Sequence, residues 1–184
     1  SEAVGHLTVQ VLGCDGDEQI FCAADAVTTS IALLQQTGGE GVLHVQSRSE
    51  AARREAALFG LLSNRRDVAV LGGEPLLSPA MEGDGRLRTY DALCLESELG
   101  RKLSKRDVER LENDRLARFP LGRGLHRTAS DLALAQHAVA AMRPGGRATL
   151  LAPAGVLFRG GLEGELRKAL LKADWVEAII ALPS

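Results

Sequence analysis

The stretch GVLHVQSRSEAARREAALFGLLSNRRDVAVLGG, residues 41–73, predicts a strand, a helix and a second strand. Both ends are short apolar runs rich in valine and leucine, whereas the middle opens at Ser49, a residue type that favours helix N-caps. Alanine, leucine and arginine then recur at helical spacing over 49–64. Because a parallel strand pair needs a crossover of a dozen residues or more, this unit predicts a parallel sheet covered by helices.

The same alternation continues on both sides of this unit. Apolar runs bounded by turn residues predict strands at 6–13, 41–46, 67–73, 87–95, 147–153 and 175–183. Periodic segments predict helices at 21–36, 49–64, 104–119, 129–142 and 161–173. We therefore expect an α/β fold, a doubly wound and mostly parallel sheet of six strands with helices on both faces.

The length of the chain sets its domain organisation. With 184 residues and 45% hydrophobic content, we expect a single domain over 1–184 with its own core. No window offers the roughly 18 apolar residues that span a bilayer, and the amino terminus lacks a signal-peptide pattern, so a cytoplasmic protein is expected. The last predicted strand runs into the end of the sequence, and we expect further chain to complete the domain.

The composition argues against metal centres, disulfides and autonomous nucleic-acid binding. The three cysteines and four histidines are scattered, without the spacing of metal ligands or of a disulfide framework. A net charge of -2 and a pI near 6.1 lack the basic excess of a free-standing nucleic-acid binder. If DNA is a partner, we expect other domains to supply much of the contact.

The segment 100–127 differs from its surroundings in charge, with nine lysine or arginine residues against four acidic ones. We interpret it as a charged insertion in the domain. It fits either a solvated helix stabilised by charge pairs, or a surface that contacts nucleic acid or a partner protein. In the second interpretation the contact residues are Arg118, Arg123 and Arg127.

The carboxyl-terminal third of the chain carries a combination of motifs. The residues that form it are Ser130-Asp131, Gln136-His137, the turn RPGGR (143–147), PAGVLFRGG (153–161), a helix with Glu165, Arg167 and Leu170, and the strand 176–183. Together they resemble the methylase (M) subunits of type I restriction systems, which methylate adenine in DNA at N6. The resemblance implies a methyltransferase-type Rossmann fold and S-adenosylmethionine as the cofactor. It also implies assembly with a DNA-specificity subunit and a nuclease subunit.

The catalytic motif that the resemblance predicts is altered. The frame YDALCLESELG (90–100) aligns with the strand and loop that carry an Asn or Asp, two prolines and an aromatic residue in the family. The four positions are instead Glu96, Ser97, Glu98 and Leu99. The family tetrapeptide grips the adenine amino group and stacks on the flipped base. A misplacement of about 1 Å can cost on the order of 100-fold in rate, so we assign no catalytic residue with certainty.

The cofactor motifs are also altered. The loop after the first predicted strand, GCDGDEQI (13–20), lacks the glycine-rich pattern that lets the backbone approach S-adenosylmethionine closely. Ser47 stands where an acid should bind the ribose hydroxyls, and Glu74 is the one acid near the end of the third strand. Few residues precede the first predicted strand, where the family has an additional cofactor motif. The weak candidates for cofactor binding are Gly13, Asp15, Gly16, Phe21, Ser47 and Glu74.

Three functional hypotheses follow. In the first, the chain is a catalytically inactive methylase-like domain that serves as a scaffold or binding module and holds no cofactor. In the second, it is an active S-adenosylmethionine-dependent adenine-N6 DNA methyltransferase in which Glu96 accepts from the amino group. In the third, the fold holds another small molecule, or a cation such as Mg²⁺, at acidic residues that converge on one sheet edge. Those acidic residues are Asp15, Asp17, Glu18, Glu96 and Glu98.

Overall fold

The computed structural model describes residues 2–24, 27–36, 41–96, 101–120 and 130–182. Its strands are β1 (Gln19–Ala24), β2 (Val42–Ser47), β3 (Val68–Gly72), β4 (Tyr90–Glu96) and β5 (Met142–Leu151). Its helices are α1 (Glu2–Leu12), α2 (Val27–Gln36), α3 (Glu50–Leu62), α4 (Lys105–Glu112), α5 (Ser130–Ala141) and α6 (Gly161–Lys172), with a 3-10 turn at Ala154–Leu157. The five strands form one parallel sheet in the order β3-β2-β1-β4-β5.

This architecture confirms the predicted α/β class and the unit from which it was inferred. The side chain of Ser49 caps α3 by accepting from the backbone N–H of Ala52 at 3.2 Å. Strands β2, β3 and β4 and helices α3, α5 and α6 fall where the sequence predicts them, within a few residues at their ends. Strand β5 is also present, but it begins at Met142, so the turn predicted at 143–146 lies within the strand. The charged helix predicted at 104–119 is shorter than expected, because Asn113 caps α4 with its amide bonded to the Glu109 carbonyl.

The prediction for the first 36 residues was wrong. The strand expected at 6–13 lies inside helix α1, and the helix expected at 21–36 contains β1 before α2 begins. The buried positions of α1 are Gly5, Val9 and Leu12, which have the spacing of one helix face. Strand β1 is the central strand, with β2 on one side and β4 on the other. A strand covered on both faces is apolar throughout, so its sequence resembles that of a buried helix.

The sixth predicted strand, at 175–183, is also wrong for the residues that the structure describes. Residues 175–182 form neither helix nor strand, and their large apolar side chains are exposed, Ile179 by 62%. Apolar, β-branched sequence favours a strand, but a strand forms only where a neighbouring backbone pairs with it. Within the described ranges no other segment pairs with 175–182, and the sheet has five strands.

The core consists of two layers, one on each face of the sheet. Helices α1, α2 and α3 cover one face, where Leu43 and Val45 of β2 point, together with residues of β1 and β4. Helix α5 covers the other face over β1, β4 and β5, where it packs on Phe21 and Tyr90. Over β2 and β3 that second face is covered by residues 73–89, a connection with turns and one β-bridge but no helix. None of the described helices is long and apolar enough to cross a membrane.

Candidate functional site

The candidate site lies where β1, β2, β3 and β4 end, at Ala24, Ser47, Gly72 and Glu96. We call this the carboxyl edge of the sheet. Open parallel sheets bind their ligands in the crevice outside this edge, because the loops that leave the strands converge there. What stands at the carboxyl edge therefore decides whether the domain can hold a cofactor.

The cavity that the described residues form at the carboxyl edge is small. Its volume is about 20 Å³, and it is lined by Ala23, Ala24, Gln46, Ser47, Arg48, Gly73, Glu74, Pro75, Glu96 and Arg101. A space of this size holds about one water molecule. Small-molecule sites usually have about 300–1,000 Å³, so this cavity is far below the size of a nucleoside cofactor.

An ion pair between Glu74 and Arg101 fills part of this edge. The carboxylate of Glu74 accepts from Nη1 of Arg101, and the two side chains are 7% and 20% exposed. The backbone of each residue is also held. The Glu74 carbonyl accepts from the N–H groups of Leu77 and Ser78, and the Arg101 carbonyl accepts from that of Ser130. Both residues are therefore held in place, and separating them would leave the buried carboxylate of Glu74 without its partner.

Glu96, at the end of β4, is engaged inside the domain. One oxygen of its carboxylate accepts from the hydroxyl of Thr29 at 2.6 Å. The hydroxyl of Thr8 lies 3.5 Å from the other oxygen, but its closer acceptor is the Val4 carbonyl at 2.8 Å. Thr29 is fully buried in α2, Thr8 belongs to α1, and Glu96 itself is 8% exposed. The carboxylate thus joins the strand to α2. Its acceptor capacity toward an adenine amino group is correspondingly reduced.

The loop expected to bind the cofactor lies at the opposite end of the sheet. Gly13, Asp15 and Gly16 precede β1, about 16 Å from the carboxyl edge, because a strand rises about 3.3 Å per residue. The expected convergence of Asp15, Asp17 and Glu18 with Glu96 is therefore wrong, and Glu98 lies outside the described residues. The assignment failed because it placed the first strand one element too early. Few residues were expected before the first strand, but the whole of helix α1 precedes it.

The true passage from β1 to α2 runs through CAADAVTT, residues 22–29. It contains no glycine, although a backbone that approaches a nucleotide closely needs residues without side chains. Phe21, expected beside the cofactor, is buried within β1, with its ring 5.0 Å from that of Tyr90. Ser47 and Glu74 do reach the carboxyl edge, where the Ser47 hydroxyl accepts from the N–H of Ser49 at 3.1 Å.

Arg118, expected on a contact surface, is buried at 3% exposure. Its guanidinium pairs with Asp114 at 2.8 Å and donates to the carbonyls of Pro75 and Leu76 at 3.1 and 2.9 Å. It also lies 3.3 Å from Nδ1 of the buried His137. This placement contradicts a surface role for Arg118, because its donors already hold the chain beside Glu74. Arg123 and Arg127, and Ser97 and Leu99 of the catalytic frame, lie outside the described residues.

The residues at the carboxyl edge do not fit S-adenosylmethionine. The cavity formed by the described residues is too small, the passage after β1 contains no glycine, and β2 ends at Ser47 and not at an acid. Sequence reasoning missed Thr29 and Arg101, the residues that engage the acids at this edge. In the described part of the chain, no three His, Cys, Asp or Glu side chains come together in a way that could hold a metal ion.

The fold and the position of the site define a methyltransferase-type α/β domain. The family model for N-6 DNA methylases matches residues 63–184, about two thirds of the chain. The chain therefore belongs to the N-6 DNA methylase family. No curated protein sequence matches it.

Two solved structures show the same fold. One is the methyltransferase subunit of a type I restriction-modification system from Streptococcus thermophilus, with a TM-score of 0.76 and 20% identity. The match covers 94% of this chain and 38% of that one. The other is TrmN from Thermus thermophilus, with a TM-score of 0.57 and 12% identity over 91% of this chain and 40% of that one. This chain thus spans well under half the length of either structure.

Proposed function

We propose that this chain is an N6-adenine methylase-like domain that transfers no methyl group and serves as a scaffold or binding module. The observation that carries the proposal is the closed carboxyl edge. Glu74 pairs with Arg101 there, and Glu96 accepts a hydrogen bond from Thr29. These contacts use the acidic side chains that could otherwise serve a cofactor or a substrate base.

Electrostatics supports the same conclusion. S-adenosylmethionine carries a carboxylate, and an anion at this edge would need a positive or dipolar group to receive it. Two cations, Arg48 and Arg101, line the cavity, and the charge of Arg101 is already balanced by Glu74. Opening the ion pair for the cofactor would leave Glu74 buried without its partner, which is costly. Cofactor binding would thus have to overcome the stability of the closed edge.

The test is calorimetric titration of the chain with S-adenosylmethionine and S-adenosylhomocysteine, followed by transfer of a labelled methyl group to DNA. We expect no heat of binding up to millimolar cofactor and no label in DNA. An adenine-N6 DNA methyltransferase of established activity serves as the positive control for both assays. Micromolar binding together with labelled DNA would establish the active enzyme and overturn the proposal.

We further propose that the domain works in an assembly, with other subunits or domains supplying DNA contact. The similarity to a methyltransferase subunit, of which this chain spans 38%, supports this proposal. The net charge of -2 also gives the chain little attraction for DNA by itself. Co-expression with the specificity subunit encoded nearest to it, followed by size-exclusion chromatography, should yield a complex that retards DNA. Separate elution of the two proteins at micromolar concentration would contradict the assembly.

A further inference from the structure

The outer face of helix α3 is apolar. Leu58, Leu61 and Leu62 are 55%, 75% and 77% exposed. Residues three and four positions apart are neighbours on a helix surface, so these three side chains form one continuous stripe. Leucines that are exposed singly are common on protein surfaces, whereas a contiguous apolar patch on a helix face indicates that another molecule covers it.

The face of α3 that packs on the sheet consists of small residues. Its buried residues are Ala52, Ala56 and Gly60, one every four positions. A Cβ atom at Gly60 would lie 3.5 Å from the side chain of Val68 in β3, so the helix lies close to the sheet. A surface helix normally buries its large apolar residues and exposes polar ones. The packing of α3 on its own sheet therefore does not account for the leucine stripe.

An acidic and a basic residue stand at opposite ends of the leucine stripe. Glu55 precedes Leu58 by three residues, and Arg66 follows Leu62 by four. Both charged side chains are exposed, and neither has an ion-pair partner among the residues that the structure describes. The adjacent charges are paired within the chain, Arg54 with Glu50 and Arg65 with Asp67. The stripe thus has one available charge of each sign, at its two ends.

The chain turns sharply after α3 and keeps Arg66 at the end of the helix. Asn64 adopts the left-handed backbone conformation that ends many helices, with φ of 55°. The N–H of Arg65 donates to the Gly60 carbonyl at 2.9 Å, and the Arg65 guanidinium pairs with Asp67. Arg65 is thereby used within the chain, and Arg66 remains as an exposed cation at this end of the stripe.

The leucine stripe and its two flanking charges are complementary to a second copy of themselves. When two α3 helices pack antiparallel about a two-fold axis, the beginning of each stripe meets the end of the other. Leu61 then lies nearest the axis, and Leu58 of each copy faces Leu62 of the other. Each Glu55 lies opposite Arg66 of the other copy, so the charges attract. A partner with a purely apolar face would leave both charges without a counterpart.

We propose that the outer face of α3 is the interface of a homodimer, formed with the same face of a second copy of this chain. Each copy covers the leucines of the other, and Glu55 pairs with Arg66 at both ends. The leucines lie toward the end of α3 that leads into β3, away from the carboxyl edge. The dimer therefore does not depend on the proposed loss of methyl transfer, and cofactor titration leaves it untested. Its apolar core is small for a standard interface of about 20–30 residues a side, so the association should be weak.

The test is sedimentation-velocity ultracentrifugation of the whole chain over a range of concentrations. We expect a monomer at about 1 μM and a dimer at about 300 μM, with a dissociation constant of tens of micromolar. Leu61→Glu should weaken the dimer by more than about 100-fold, because it places two carboxylates beside each other on the axis. A wild-type chain that stays monomeric throughout, or a Leu61→Glu variant that dimerises like the wild type, would overturn the proposal.

Exchanging the two charges tests the antiparallel pairing itself. Glu55→Arg and Arg66→Glu should each weaken the dimer about tenfold, because the two-fold axis introduces every like-charge contact twice. The double variant Glu55→Arg/Arg66→Glu restores opposite charges at both ends and should dimerise within about threefold of the wild type. A double variant no stronger than the single ones, or single variants without any loss, would contradict the pairing.

A matched variant on another helix locates the interface. Leu171→Glu replaces a leucine of α6 that is 54% exposed, and it should leave the dimer unchanged. Leu61 is also mostly exposed, so neither substitution disturbs the core, and circular dichroism checks the fold of both variants. Loss of the dimer in Leu171→Glu, with Leu61→Glu still dimeric, would place the contact on α6 and overturn the assignment to α3.

Discussion

The two edges of this sheet are stabilised differently. At the amino edge, where the strands begin, Arg147 pairs with Glu18 at 2.7 Å and Arg143 pairs with Asp91 at 2.8 Å. These side chains are between 19% and 36% exposed. At the carboxyl edge, Glu74 is 7% exposed and Glu96 is 8% exposed. Parallel α/β domains usually keep the carboxyl edge open for a ligand, but these two acids are more buried than the four charged side chains of the amino-edge pairs.

The difference lies in how the acidic side chains of the two edges are paired. Acidic side chains remain at the carboxyl edge, but each has a partner from another element, Arg101 for Glu74 and Thr29 for Glu96. At the amino edge, Arg147 donates to carbonyls of Leu12 and Gly13 and to Glu18, and so joins α1 and β1 to β5. Charges at both edges now serve the structure. If the carboxyl edge contributes more to stability, substitutions there should lower the free energy of unfolding more than matched substitutions at the amino edge.

The largest effect is expected for Arg101→Ala. Removing the guanidinium leaves the buried carboxylate of Glu74 unpaired, and the free energy of unfolding should fall by about 3 kcal/mol. That is the low end for a buried pair, because Arg101 keeps a fifth of its surface exposed. The matched change at the amino edge, Arg143→Ala, should cost no more than about 1 kcal/mol, since its pair is solvated. Urea unfolding measures both, and equal losses would remove the distinction between the edges.

Thr29→Val should have the next largest effect. Valine has nearly the same shape, but it cannot donate to the Glu96 carboxylate at 2.6 Å, and a bond to a charged group contributes about 2 kcal/mol. Thr8→Val should cost much less, because its hydroxyl lies 3.5 Å from the same carboxylate. The same unfolding assay compares the two variants. A larger loss for Thr8→Val would show that Glu96 is held mainly by α1.

Some elements of the fold could be predicted from the sequence and others could not. Ser49 caps a helix through a bond to a residue three positions away, and such local signals can be read directly from sequence. Strand β1 carries no local signal, because its apolar sequence reflects burial between two neighbouring strands. Placing it wrongly moved the expected cofactor loop to the other end of the sheet.

The candidate site was less predictable for a related reason. Ser47 and Glu74 were placed near the carboxyl edge, because β2 and β3 were predicted correctly. Their surroundings could not be predicted. Arg101 lies 27 positions from Glu74, and Thr29 lies 67 positions from Glu96, so neither pairing follows from spacing along the chain. Only the folded chain shows these two pairings.

The buried His137 beneath the carboxyl edge should make stability depend on pH. Burial, and then the charge of Arg118, lowers its pKa to about 3, whereas an unfolded histidine has a pKa of about 6.5. Between these values the unfolded chain binds a proton that the folded chain does not, so stability is lost as the pH falls through this window. The limiting slope is about 1.4 kcal/mol per pH unit. Urea unfolding of His137→Gln between about pH 6.5 and 5 should show a flatter dependence; a slope unchanged from the wild type would contradict it.

The smallest effect is expected for a double variant that removes the ion pair at the carboxyl edge. If this ion pair merely blocked a working cofactor site, the same variant would have the largest effect. The double variant Glu74→Ala/Arg101→Ala removes the ion pair from the cavity at the carboxyl edge without leaving a lone buried charge. We expect it to remain silent in calorimetric titration with S-adenosylmethionine. The passage CAADAVTT still lacks glycine, and Glu96 stays bound to Thr29. Micromolar binding in the double variant but not in the wild type would mean that the ion pair alone blocks a site that is otherwise able to bind the cofactor. Continued silence would show that removing the ion pair is not sufficient to restore cofactor binding.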